Sequence, residues 1–282
     1  MQRVRHAADV RRAVADLKRR GARVAFVPTM GAIHEGHVSL VARARAGGAR
    51  VVASIFVNPL QFGPREDYRH YPRPVRRDRA RLAAAGVDLL WEPPAGDLYP
   101  AGHRTRVRVT ELGDALEGAS RPGHFEGVAT VVLQLLLVVM PDELWLGQKD
   151  AQQARIIERM VRDLGLTVRV RRGATVRAAD GLALSSRNAY LDAAERRDAT
   201  ALARGLAAAR AAMAGGERSA ARVRAAVRRV WRRFPRVRED YVAVVDADTL
   251  APLARIRGRV LVAVAARVGR ARLIDNLEWR AR

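Results

Sequence analysis

The sequence of 282 residues contains no cysteine, which excludes a disulfide scaffold, a thiolate-held metal and a cysteine nucleophile. Lysine is nearly absent: Lys18 and Lys149 stand alone among 52 basic residues, and every other cation is an arginine. Aromatic residues make up 5%, thin for a protein that stacks nucleobases on ring platforms. No apolar run is long enough to cross a bilayer, since the longest, Val128 to Met140, has 13 residues where about 20 are needed. The opening Met1-Gln2-Arg3-Val4-Arg5-His6 carries charge with no apolar segment behind it, so no signal peptide is read. A soluble, cytoplasmic chain without a membrane partner is expected.

What is present is enough for a real core. Hydrophobic residues are 49% of the chain, which excludes wholesale disorder and leaves room for two modest domains or one large one. The formal charge of +23 would ordinarily point to nucleic acid. Arginine and alanine, however, fill nearly every solvent-type position, so the charge reads as compositional bias and no specific nucleic-acid partner is expected. Arg218 to Arg238 holds nine arginines and no acid. An RNA-binding helix is one reading of it. The apolar stripe of Val223, Val227, Val230, Trp231 and Phe234 favours the solvated face of an amphipathic helix.

The first half alternates strand and helix patterns. Val24–Val27, Val51–Val57, Val87–Trp91 and Leu144–Leu146 read as buried strands, the first ended by Pro28. Residues 37–46, 76–85, 128–140 and 151–164 read as helices. Such alternation predicts an α/β unit, a parallel sheet with helices on both faces, whose ligands sit beyond the carboxyl ends of the strands. After about Val176 the texture changes. Two Ala/Arg-rich helical stretches, 193–213 and 219–234, precede strands at 241–245, 260–264 and 272–275. The expected division is therefore residues 1–176 and a smaller α+β domain, residues 177–282.

Four polar clusters carry chemistry. Pro28-Thr29-Met30-Gly31-Ala32-Ile33-His34-Glu35-Gly36-His37 places a strand end, glycines and two histidines ahead of a helix, a geometry that offers backbone N–H groups and imidazoles to a phosphate. A zinc half-site or surface histidines are the bland alternative. Ser54 through Gly63 empties an apolar strand into an amide-bearing loop, where Asn58 and Gln61 could hydrogen-bond a hydroxy acid or simply make a turn. Gly147-Gln148-Lys149-Asp150 keeps a lysine, a compact point charge, in an arginine-dominated chain, with Gln152 and Gln153 behind it. Gly181-Leu182-Ala183-Leu184-Ser185-Ser186-Arg187-Asn188 reads as a loop that offers two hydroxyls and a guanidinium to phosphate oxygens. No Gly-x-x-x-x-Gly-Lys-Ser/Thr loop exists, because neither lysine follows a glycine, and a P-loop nucleotidase is excluded.

These stretches, together with Tyr71-Pro72-Arg73, Arg121-Pro122-Gly123-His124-Phe125 and Gly269 through Asn276, resemble in order the pantothenate synthetase (pantoate–β-alanine ligase) family of the HxGH nucleotidyltransferases. The resemblance spans nearly the whole chain. It implies a Rossmann-like doubly wound parallel sheet with a smaller C-terminal lid domain. It also implies a homodimer that uses ATP, with Mg2+ on the phosphates, to join (R)-pantoate to β-alanine through pantoyl adenylate, releasing AMP and pyrophosphate. By the same resemblance His37 is the proton donor with His34 its phosphate-binding partner, and Lys149, Ser185, Ser186 and Arg187 hold phosphates. Met30, Gly31, Ala32, Ile33, His34, Glu35, Gly36 and His37 line ATP with Gly147, Gln148, Lys149, Asp150, Val176 and Leu184. Gln61 and Gln153 bind pantoate, Gln61 also lying by β-alanine, and Asn58, Arg121 and His124 support them. The sequence departs from the family pattern in three places. Gln148 stands where many relatives have glutamate, Leu184 where methionine is common, and Arg77 where another acid precedes Asp78, so the protein ligands of a metal stay open.

Overall fold

The computed structural model describes residues 1–64 and 66–281. They fall into two compact units, Met1–Gln148 with Gln152–Ala174, and Lys149–Ala151 with Thr175–Arg282.

In the first unit the chain runs β1 (Gln2–Val4), α1 (Ala7–Arg19), β2 (Val24–Thr29), α2 (Glu35–Ala46), β3 (Arg50–Ile55), α3 (Val75–Ala84), β4 (Leu89–Trp91), short helices α4 (Ala95–Leu98) and α5 (Glu117–Ser120), α6 (His124–Val139), β5 (Glu143–Gly147), α7 (Ala151–Asp163) and β6 (Arg169–Gly173). Among the described residues these six strands form one parallel sheet in the order β1-β4-β3-β2-β5-β6. Alternation along β2 shows why both faces are covered. Val24 and Phe26 join α1, α6 and α7 in one apolar cluster, whereas Ala25 and Val27 join Leu40, Val41 and Ala44 of α2 and Leu82 of α3 in another. Side chains on a strand alternate sides, so only a sheet buried twice needs apolar residues at every position. This is the expected doubly wound α/β arrangement.

Strand order reverses between β2 and β5. The chain steps from β2 outward to β3 and β4, then returns to place β5 on the other side of β2. The carboxyl ends of β2 and β5 thus flank the switch point where open α/β sheets bind ligands. Pro28 does not end β2 but pairs with Ser54 inside it. The ladder from β2 to β5 stops at Phe26, so a residue lacking an N–H is tolerated there.

The second unit carries α8 (Ala193–Ala199), α9 (Ala201–Ala214), α10 (Ala220–Trp231), and the antiparallel strands β7 (Val237–Asp246), β8 (Arg259–Val268) and β9 (Ala271–Arg280) in that spatial order. Leu202, Leu206 and Met213 of α9 and Val223, Val227 and Trp231 of α10 pack with Val262 and Val264 of the sheet. The apolar stripe of the arginine-rich stretch therefore faces a core, and arginines such as Arg228 project outward to pair with Glu239. Among the described residues no helix is long and apolar enough to cross a membrane.

Candidate active site

Both loops at the switch point are the ones singled out by their residues. The loop after β2 is pinned from below before it reaches the histidines. The Thr29 hydroxyl donates to the Ser54 carbonyl (2.8 Å) and accepts from the Gly31 N–H (3.1 Å). Asp78, fully buried on α3, accepts the N–H groups of Ala32 and Ile33, both at 2.8 Å, one on each carboxylate oxygen. Those bonds hold Gly31 and Ala32 at positive φ, +83° and +49°. A β-carbon on Gly31 would stand 3.0 Å from the Asp78 carboxylate and 3.2 Å from Ile55.

His34 then caps α2. Its Nδ1 accepts from the Gly36 N–H (3.1 Å), and the His34 N–H donates to Nδ1 of His37 (3.3 Å). The two rings lie 4.1 Å apart between centroids. A nitrogen that accepts cannot carry the proton, so in a neutral ring the proton sits on Nε2 of each histidine, beside the positive end of α2. Gly36 is required for this fold-back, because a β-carbon there would lie 2.8 Å from the His34 ring. Glu35, the acid in this first turn, is paired with Arg81.

Beside this loop, the turn after β3 holds a buried amide pair. Asn58 and Gln61 are 1% and 8% exposed. The Asn58 amide donates to the Gln61 side-chain oxygen (3.1 Å) and to the Gly127 carbonyl (3.0 Å), while its oxygen accepts from the Leu60 N–H (3.2 Å) and the Tyr99 hydroxyl (2.7 Å). The Gln61 amide reaches the Met30 sulfur at 3.1 Å. Burial pushes the Tyr99 phenol well above its usual range, so it stays a donor.

Behind Gln61 lies a second network. Nδ1 of His124 meets the Gln61 main-chain carbonyl at 2.8 Å. A carbonyl only accepts, so Nδ1 carries the ring proton, and Nε2 accepts from the Arg121 guanidinium (3.0 Å). Burial, then the adjacent Arg121 charge, push the His124 pKa down to about 4, in keeping with a neutral ring. Arg121 completes the cluster with a two-pronged bond to Glu66 (2.7 and 2.6 Å). Burial alone would raise the Glu66 carboxyl, but the Arg121 bond and charge outweigh it and hold it below the ordinary value.

On the β5 side, Gly147 ends the strand, the Gln148 amide oxygen meets Arg172 at 3.4 Å, and Gln153 sits half-buried in the first turn of α7. The second unit holds the other predicted residues. The Lys149 ammonium lies 3.3 Å from Asp150. The Leu184 N–H donates to the Val176 carbonyl (3.0 Å), which brings those two predicted positions together. Ser185 caps the single helical turn Ser186–Tyr190 by accepting the Arg187 N–H (3.3 Å).

Sequence reasoning did not single out Tyr99, Glu66 and Gly127. The first two lie far along the chain from Asn58 and Arg121 and carry no local signal. Gly127 had one: a glycine inside an apolar helical run, which usually marks close approach. A β-carbon there would stand 2.3 Å from the Leu60 carbonyl oxygen. Both oxygens of Asp78, a residue at which the sequence leaves a metal ligand open, are engaged by the loop backbone.

The family described as pantoate-beta-alanine ligase matches residues 2–278. The chain belongs to that family. Among its curated relatives, the pantothenate synthetase of Moorella thermoacetica is 52% identical over 270 residues, covering 96% of this chain and 95% of the relative. A crystal structure of pantothenate synthetase from Thermus thermophilus is 49% identical, with a TM-score of 0.93 over 98% of this chain and 99% of that one. A pantoate-beta-alanine ligase from Francisella tularensis, solved in complex with beta-gamma ATP and beta-alanine, is 31% identical with a TM-score of 0.79, covering 98% and 97%. The likeness of this ligase chain to its relatives therefore takes in both units of the fold.

Proposed function

We propose that this member of the pantoate-beta-alanine ligase family condenses (R)-pantoate with β-alanine at the expense of ATP. A carboxylate is a poor acylating agent until its oxygen becomes part of a good leaving group. A pantoate carboxylate oxygen therefore attacks the α-phosphorus, the bond to pyrophosphate breaks, and pantoyl adenylate forms. The β-alanine amine then attacks the acyl carbon, the C–O bond to AMP breaks, and the amine gives up a proton as the amide forms.

The observation that carries this reading is the pair of imidazoles held through Nδ1 at the N-terminus of α2, set at the switch point beside the buried Asn58–Gln61 amides. Donors fixed in advance stabilise charge as it builds on phosphoryl oxygens. His37 and His34 take that role. Met30 through His37, Gly147 through Asp150, Val176 and Leu184 line the nucleotide, and Lys149, Ser185, Ser186 and Arg187 bind its phosphates. Gln61 and Gln153 hold pantoate, with Asn58 aligning Gln61. Bound on the phosphates, Mg2+ would supply positive charge against the phosphoryl oxygens. Mg2+ ordinarily keeps waters and takes substrate phosphates with one or two carboxylates, so the triphosphate itself would carry it. Resemblance to the family is the support for a cytoplasmic homodimer.

The test is AMP release from ATP with pantoate and β-alanine supplied together and each omitted in turn. AMP formed only with both, and lost in His37→Ala, is the expected result. AMP or pyrophosphate that ignores pantoate would make the chain a different nucleotidyltransferase.

A further inference from the structure

The closing motif of the chain is left unused by the chemistry above, yet its placement in the second unit is unusual. Asp275 and Asn276 are consecutive residues of β9, 2% and 8% exposed, paired with Val264 and Ala263 of β8. Neighbours in a strand point to opposite faces. A buried acid and amide side by side are unfavourable in a sheet of valines and alanines unless both are fully bonded. Each is bonded, Asp275 to a residue next to Val176 and Asn276 to the main chain of Lys149, both positions assigned to the nucleotide.

Asp275 takes Arg177 in a two-pronged pair, 2.6 and 2.9 Å. Arg177 opens a tight hairpin. It bridges to Ala183 across the turn, its guanidinium also donates to the Gly181 carbonyl (3.1 Å), and the Leu184 N–H bonds Val176 at its foot. The strand leaving that hairpin leads directly into Ser185-Ser186-Arg187, and β9 packs against the turn Ser186–Tyr190. On the other face, the Asn276 amide donates to the main-chain carbonyl of Lys149 at 2.8 Å.

We propose that Asp275 and Asn276 are positioning residues for adenylation. They act as one strut that sets the Lys149 backbone and the Ser185–Arg187 turn to a common strand. The proposal rests on the functional reading above. It predicts a division between the two half-reactions, because pyrophosphate is present only in the first.

Asn276→Ala and Asp275→Asn, the latter keeping the shape of the side chain, are compared with wild type in two assays. In pantoate-dependent ATP–pyrophosphate exchange both variants are expected to fall by roughly ten- to a hundredfold in kcat, the scale on which sub-ångström to 1 Å misplacement acts. In the release of AMP from supplied pantoyl adenylate by β-alanine both are expected to stay near the wild-type rate. Unchanged exchange overturns the proposal. So does an equal loss in both assays, which marks a merely structural role. Wild-type chain that shows no pantoate-dependent exchange overturns the functional reading instead, so the two failures are told apart by the control.

Discussion

At Gly127 the absence of a single methyl group sets how closely α6 approaches the turn that carries Gln61. With the Leu60 oxygen 2.3 Å and the Gln61 nitrogen 2.7 Å from where a β-carbon would stand, Gly127→Ala must push that turn away or tilt the helix. The neighbour is backbone, so nothing can swing aside. The expected result is a loss of about 1–3 kcal/mol in stability from overpacking and a rise in the KM for pantoate with little change in that for ATP. Steady-state kinetics with each substrate varied would show it, and equal effects on both substrates would count against it. Three residues upstream, His124 predicts a pH effect of definite sign. Its folded pKa of about 4 lies below the ordinary 6.5, so the unfolded chain binds a proton that the native chain refuses. The stability from the neutral ring is complete above pH 6.5 and is lost as the pH falls from 6.5 to 4, by up to about 3 kcal/mol. Denaturant melts across that window should slope by about one proton more in wild type than in His124→Asn. Equal slopes would mean that His124 is protonated in the native site.

At the scale of an element, the loop from Met30 to His37 is shaped by its own residues and also by Asp78 from α3. One carboxylate accepts two backbone N–H groups, and charge-assisted bonds of this kind are roughly twice as strong as neutral ones. Asp78→Asn retains one accepting oxygen and loses the charge. It should lower the rate of adenylation by about tenfold or more while leaving the β-alanine KM alone. Extra Mg2+ should not restore the rate, and restoration would make Asp78 a metal ligand after all. This loop was legible in the sequence because its chemistry is local: glycines, two histidines three apart and a strand before them. The doubly wound sheet was legible for the same reason, in runs such as Val24–Val27. Other elements were not. The edge strands β1 and β6, Gln2–Val4 and Arg169–Gly173, carry charged residues that blunt an edge and so hide the apolar pattern. The expected helix 193–213 is two helices parted at Thr200, whose hydroxyl turns back to the Arg197 carbonyl (2.7 Å). In the site, Tyr99–Asn58 and Glu66–Arg121 join residues dozens of positions apart, and no window of sequence contains such a pair.

For the whole molecule, the governing quantity is the charge of +23, and two effects of opposite sign compete. Acids on the surface are already engaged in pairs such as Arg108–Asp114 at 2.9 Å, Arg228–Glu239 at 2.7 Å and Arg259–Asp248 at 2.9 Å. Exposed pairs of this kind contribute about 0–1 kcal/mol each and weaken in salt. Against them stands the mutual repulsion of an arginine surface that outnumbers its acids, which salt also screens. With 52 basic residues to 29 acidic ones, repulsion outweighs pairing. Raising the ionic strength from about 0.01 to about 0.15 M shortens the screening length from about 30 to about 8 Å and should therefore raise the Tm. A scan in sodium chloride, repeated with a neutral osmolyte to separate screening from general exclusion, would decide it. A Tm that falls with salt would mean that the ion pairs dominate and that the arginine surface stabilises the fold.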